Sequence, residues 1–154
     1  MSATTRQPRT GEQDGQAYHF LSDDEFDRRV TRGEFLEHAA YSGNQYGTLR
    51  SEVEVRLAAG ISVVLEIELQ GARQIRESMP EAVQIFIAPP DRSALRTRLE
   101  GRGTDTPEAI AERLQTAEIE MAAQGEFPNV VVNDDVQTAS EELIALVQGQ
   151  LPLD

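Results

Sequence analysis

Three short runs of almost unbroken apolar character constrain this chain more than anything else in it: SVVLEI (62–67), AVQIFIA (82–88) and NVVVN (129–133). Each is strand-length and rich in β-branched residues. A strand that is apolar at every position, instead of every second one, is buried on both faces. Helical spacing fills the intervals. Leu69–Ser78 stops before Pro80, and Asp91–Glu100 follows Pro89 and Pro90 with Leu95 and Leu99 inward. A helix opened by Thr106 and Pro107 carries Ile110, Leu114, Ala117 and Met121 on one face, and 136–148 carries Val136, Leu143 and Val147. Buried strands alternating with helices predict an α/β fold, a parallel sheet with helices on both faces.

The first half breaks this alternation. Residues 1–17 are polar and read as loop. Tyr18–Leu21 suits a short strand. Ser22 and Glu25 form a capping-box pattern that opens a helix to about Arg32, with Phe26 and Val30 on one face and Gly33 as the stop. Glu34–Thr48 predicts short strands joined by a Gly-Asn turn, and Arg50–Ala59 a helix ended by Gly60. The insert from Tyr18 to Thr48 is expected to form a small mixed lobe.

At 154 residues the chain is the size of one domain. Its net charge of −13 argues against general affinity for nucleic acid or an anionic membrane. The few basic residues therefore carry information through their positions. Arg6 and Arg9 fall in a Gly/Pro/Thr-rich loop, and Arg98, Arg102 and Arg113 surround a second Gly-rich stretch, as suits groups that hold phosphates. With no Cys and two His, disulfides and thiolate metal sites are ruled out and zinc is not expected. No apolar run approaches the roughly 18 residues of a membrane span, and the N-terminus has no signal-peptide core, so a cytoplasmic protein is expected.

Six blocks stand in order with family spacing: SATTRQPRTGEQDGQAYHF, GEFLEHAAYSGNQYGT, VVLEIELQGAR, IFIAPP, LEGRGTDTPEAIAERL and VVVNDD. Over nearly the whole chain they resemble the guanylate kinases, nucleoside-monophosphate kinases of P-loop-kinase-like fold. The resemblance implies a transfer of the γ-phosphate of ATP to GMP or dGMP, with Mg²⁺ accompanying ATP. It divides the single domain into a GMP-binding region over about 1–49 and a remaining core over about 50–154, with a lid at about 98–113.

Residue by residue, it implies that Ser2, Arg6 and Arg9 hold the GMP phosphate while Tyr18 and Tyr46 add hydroxyl donors. A phosphate dianion needs several donors, and arginine offers a planar fork. It places Glu37, Thr48 and Glu68 at the guanine. A carboxylate there accepts from the N1–H and N2 amine and rejects adenine, which has no N1–H. Glu68 stands where most members carry Asp, one methylene shorter. Glu66, ending the first buried run, falls near the magnesium–phosphate site. Arg98, Arg102 and Arg113 become the catalytic lid arginines that close over the ATP phosphates, and Asn133 lies near the adenine. On the residues alone, Arg6 and Arg9 read equally as solvated loop arginines, and Glu37 as a charge on an edge strand.

One block of the pattern has no counterpart. P-loop kinases begin with a strand, G-x-x-x-x-G-K-[ST] and a helix, whose backbone N–H groups and Lys cradle phosphates. These 154 residues contain no such motif and open after it, so the first strand, P-loop and first helix are expected to be absent. Two expectations follow: a phosphotransferase whose start is set too late or whose N-terminus is lost, or a catalytically dead module that binds GMP or a protein partner.

Overall fold

The computed structural model describes residues 2–41, 43–101 and 107–150. The chain divides into two compact units, Met1–Ala82 and Val83–Asp154.

The first unit is built on a four-stranded mixed sheet, order β2-β1-β4-β3. β1 (Ser2–Thr4) pairs in parallel with β2 (His19–Phe20) and antiparallel with β4 (Asn44–Leu49), which pairs antiparallel with β3 (Phe35–Tyr41). The expected lobe is there. Helix α1 (Asp23–Thr31) starts at Ser22, whose hydroxyl accepts from the Glu25 N–H at 3.3 Å. Gly33, beyond the helix end, has φ +68, the left-handed conformation that suits glycine. Phe26 is fully buried and stacks on Phe35 at 4.5 Å between ring centroids. With Ala3 and Leu49 they form the core under one face of the sheet. Gly47 makes room for this stacking, because a Cβ there would come within 2.8 Å of the Phe35 ring.

Helices α2 (Arg50–Ala58) and α3 (Leu69–Ser78) complete the unit. Leu36, Val53 and Ile75 make a second core cluster. Onto it fold Val63, Leu65 and Ile67 from the run expected to be a buried strand. That expectation is corrected: residues 61–68 join no ladder among the described residues, and Val64 is 85% exposed. Only alternate side chains reach the core. A strand is defined by backbone bonds to a neighbour, and apolar character alone supplies none.

The second unit holds a parallel pair, β5 (Ile85–Ala88) and β6 (Asn129–Val132), in the register Ile85 to Asn129 through Ala88 to Val132. Helices α4 (Arg92–Glu100), α5 (Pro107–Ala122) and α6 (Val136–Gln150) accompany it, with a short 3-10 turn at Gln124–Glu126. The α/β class stands, with helices around parallel and mixed strands. Two details change. Val131 and Ala88 are buried, one on each face of the pair, but their partners Ile87 and Val132 are 47% and 44% exposed, so each face is covered only in part. Val136, expected inward, heads α6 and is 72% exposed; the buried stripe starts one turn later at Ala139, before the half-buried Leu143 and Val147.

Candidate functional site

The site lies on the face of the mixed sheet opposite Phe26. Antiparallel partners share a face, and Ser2 stands directly across from Thr48. Thr48 in turn stands across from Glu37, but only because of an irregularity. Phe35 pairs with Leu49 and Glu37 with Thr48, so two steps on β3 match one on β4. Leu36 is the extra residue of a bulge. Without it Glu37 would oppose Gly47 and face the Phe26 core; the bulge turns its carboxylate to the other side.

Glu37 is 5% exposed, and its Oε1 accepts a 2.6 Å hydrogen bond from the Thr48 hydroxyl. Burial pushes its pKa up, the Thr48 bond opposes this, and the nearby Glu68 charge adds to the rise. Glu68 is the N-cap of α3, accepting from Gly71 N–H at 2.6 Å and Gln70 N–H at 2.7 Å. A carboxylate has about four lone-pair sites, so acceptor capacity remains toward a ligand. The two acids meet at Gly71: a Cβ there would come within 2.6 Å of Glu37 Oε2 and 3.3 Å of Glu68 Oε1.

Gly71→Ala therefore separates function from stability. Alanine suits a helix better than glycine by about 1 kcal/mol, and the obstructing atoms end a flexible side chain that can swing away. The expected outcome is a melting temperature equal to or above that of the parent, with GMP affinity lowered about tenfold or more in a calorimetric titration, as for one lost charge-assisted hydrogen bond.

Two residues along β4 from Thr48 lies Tyr46, on the same face and about 7 Å away by strand geometry. Here the charge reverses. Arg6 stands over the Tyr18 and Phe20 rings at 5.5 and 5.7 Å, and Tyr18 meets Tyr46 edge-on at 6.4 Å. The Arg6 fork grips Glu12 with both amino groups, at 2.9 and 3.0 Å. That bond raises the Arg6 pKa and lowers that of Glu12. Glu12 also accepts from the Arg9 N–H at 2.7 Å, so one carboxylate closes the loop that carries both arginines. The fully buried Thr4 anchors its start, donating to Gln45 O at 2.9 Å and accepting from Arg6 N–H at 3.1 Å. The Arg9 side chain is exposed.

Arg6, Tyr18 and Tyr46 are thus brought together at one end of a sheet face, and Ser2, Glu37, Thr48 and Glu68 at the other. Such a face, cationic at one end and acidic at the other, suits a ligand with an anion at one end and N–H donors at the other. Glu66 is exposed on the 61–68 segment, which is not a strand, so it does not stand at the strand end expected of it. In the second unit, Arg98 donates to Asp134 O at 3.3 Å, beside Asn133. Among the described residues Asn133 Oδ1 is a buried acceptor without a hydrogen-bond partner. Arg113 is half-buried on α5. α4 ends at Glu100, and Arg102 lies outside the described residues.

Residues 1–150 match the family model described as guanylate kinase. The chain belongs to the guanylate kinase family. It is 55% identical over 149 residues to the guanylate kinase of Frankia casuarinae, covering 97% of this chain and 81% of that protein. With the guanylate kinase of Streptomyces coelicolor the identity is 54% over 146 residues, 95% of this chain and 74% of the other. The crystal structure of guanylate kinase from Anaplasma phagocytophilum superposes with a TM-score of 0.77 at 36% identity, covering 98% of this chain and 74% of that one. Guanylate kinases are ATP:GMP phosphotransferases. Among the described residues no helix is long and apolar enough to cross a membrane.

Proposed function

We propose that this chain carries the GMP site and lid of an ATP:GMP phosphotransferase. One observation carries the reading: the buried Glu37 carboxylate, held by Thr48 beside Glu68, shares a sheet face with the Arg6–Tyr18–Tyr46 cluster. Arg6, Arg9, Tyr18 and Tyr46 hold the GMP phosphate, while Ser2, expected with them, stands across from Thr48 at the base end. Glu37 and Glu68 accept from guanine N1–H and the N2 amine, and the Thr48 hydroxyl steadies Glu37. The GMP phosphate oxygen is the nucleophile and attacks the γ-phosphorus, so no side chain needs activation. Arg98, Arg102 and Arg113 stabilise the charge on the transferring group, and Asn133 Oδ1 accepts a hydrogen bond from the adenine amine.

Among the described residues no group of three or more His, Cys, Asp or Glu is placed to hold a metal. Mg²⁺ arriving with ATP would keep several waters and bind through substrate phosphates plus one or two carboxylates. Glu66, exposed, is the carboxylate this chain offers, and the ion would neutralise phosphate charge there. A second reading, a module that binds GMP without transferring phosphate, is favoured for the 154 residues alone by their lack of G-x-x-x-x-G-K-[ST].

Glu37→Gln tests the assignment. The base end loses its charge while the phosphate end stays intact, so GMP affinity is expected to fall to the level of AMP. Unchanged preference for GMP over AMP would remove Glu37 from the base. Stability should move the other way with pH. A carboxyl with a raised pKa stabilises the fold when protonated, below its ordinary value of 4.5, and that contribution is lost as pH rises through the raised value. Glu37→Gln should therefore gain melting temperature over the parent at pH 7.5 and lose that advantage near pH 4.5.

A further inference from the structure

Among the described residues β3 is the outermost strand of the mixed sheet, and its outward backbone groups face no neighbouring strand there. At His38 a side chain takes that place. Gln74 Nε2 donates to His38 O at 2.7 Å, and Gln74 Oε1 accepts from His38 N–H at 3.1 Å. One primary amide has both the donor and the acceptor that a strand residue would present, and two simultaneous bonds fix its orientation. Two turns of α3 are tied down this way, because Ser78 Oγ also donates to Leu36 O at 3.3 Å. Gly71, Gln74 and Ser78 lie at i, i+3 and i+7, one stripe of the helix. The stripe begins where Glu37 Oε2 meets the Gly71 backbone and where Glu68 caps the helix. Gln74 thus joins the strand bearing Glu37 to the helix capped by Glu68, gripping the residue next to the first acid from a point nearly two turns past the second.

We propose that Gln74 is a positioning residue that sets the separation of the two carboxylates, and through it the preference for guanine over adenine. This rests on the reading of Glu37 and Glu68 as the base-binding pair. Without the amide clamp α3 can slide along the strand edge. The acceptors then no longer match the N1–H and N2 amine together, while the phosphate end on β1 and β4 is untouched.

The test compares the full chain with Gln74→Met, which keeps length without hydrogen bonding, and Gln74→Asn, which keeps the amide but is one methylene too short. GMP and AMP are titrated by calorimetry, and exchange of the His38 amide proton is followed. Both variants are expected to lose about tenfold in GMP affinity, a typical net hydrogen-bond effect. AMP affinity should be unchanged and His38 exchange faster. A GMP-to-AMP ratio equal to the parent's, or equal losses for both nucleotides, overturns the proposal, as does undiminished His38 protection. A parent chain without any preference for GMP overturns the base-binding assignment itself, a result separable from the variants' behaviour.

Discussion

Joined through its N-terminus to a strand–loop–helix unit carrying G-x-x-x-x-G-K-[ST], this chain is expected to transfer phosphate from ATP to GMP at least about 10²–10³ times faster than the 154 residues alone, the scale of losing one preorganised donor at a transition state. The 154 residues offer arginines and hydroxyls for GMP and the transferring group, but no row of backbone N–H groups with a Lys for the ATP phosphates. Transfer depends on alignment, and a misplacement of about 1 Å already costs on the order of 10²-fold. The added strand also has a reason to dock, because the 61–68 segment joins no ladder among the described residues and leaves Ile61 56% and Val64 85% exposed. A coupled assay for ADP with GMP, AMP and UMP as acceptors checks this, with Lys→Met in the added loop as the control. Equal turnover with and without the unit would show that the phosphate cradle has been misassigned.

Arg6→Ala is expected to weaken GMP binding by about 1.5–3 kcal/mol, the range for hydrogen bonds to charged groups, or roughly 10- to 150-fold. Its guanidinium serves twice. In the proposed site it offers donors to the phosphate, and its paired bonds to Glu12 hold closed the loop that carries Arg9. Arg9→Ala, whose side chain is exposed and whose loop contact runs through the backbone, should fall in the lower part of that range. Guanosine, lacking the phosphate, should bind parent and both variants alike. A matching loss for guanosine would make Arg6 a structural residue of the loop instead.

Much of this was legible in the sequence because local chemistry dictates it. Ser22 three residues before Glu25, Gly33 past a helix and the Gly-Asn turn each act on the backbone within a few residues, and each takes effect where expected. The site pair Glu37–Thr48 and the cluster around Arg6 came from family spacing and are brought together by the sheet. What sequence could not show depends on partners distant in the chain. The Leu36 bulge that turns Glu37 toward the site has no Gly or Pro to announce it. Glu12 sits in GEQDG like any surface acid, and only the folded loop reveals its grip on Arg6. Gln74 reads as an ordinary helix residue until β3 is seen to lie at a sheet edge. SVVLEI failed for a related reason: its apolar side chains are visible in sequence, but the ladder that makes a strand belongs to two segments at once.

The central claim, that one face of the mixed sheet reads a guanine nucleotide from both ends, is tested most directly by calorimetric titration of the chain with GMP, AMP and guanosine under one set of conditions. The account predicts that GMP binds most tightly, with AMP weaker for want of the N1–H that Glu37 accepts and guanosine weaker for want of the phosphate. AMP binding as tightly as GMP would contradict it.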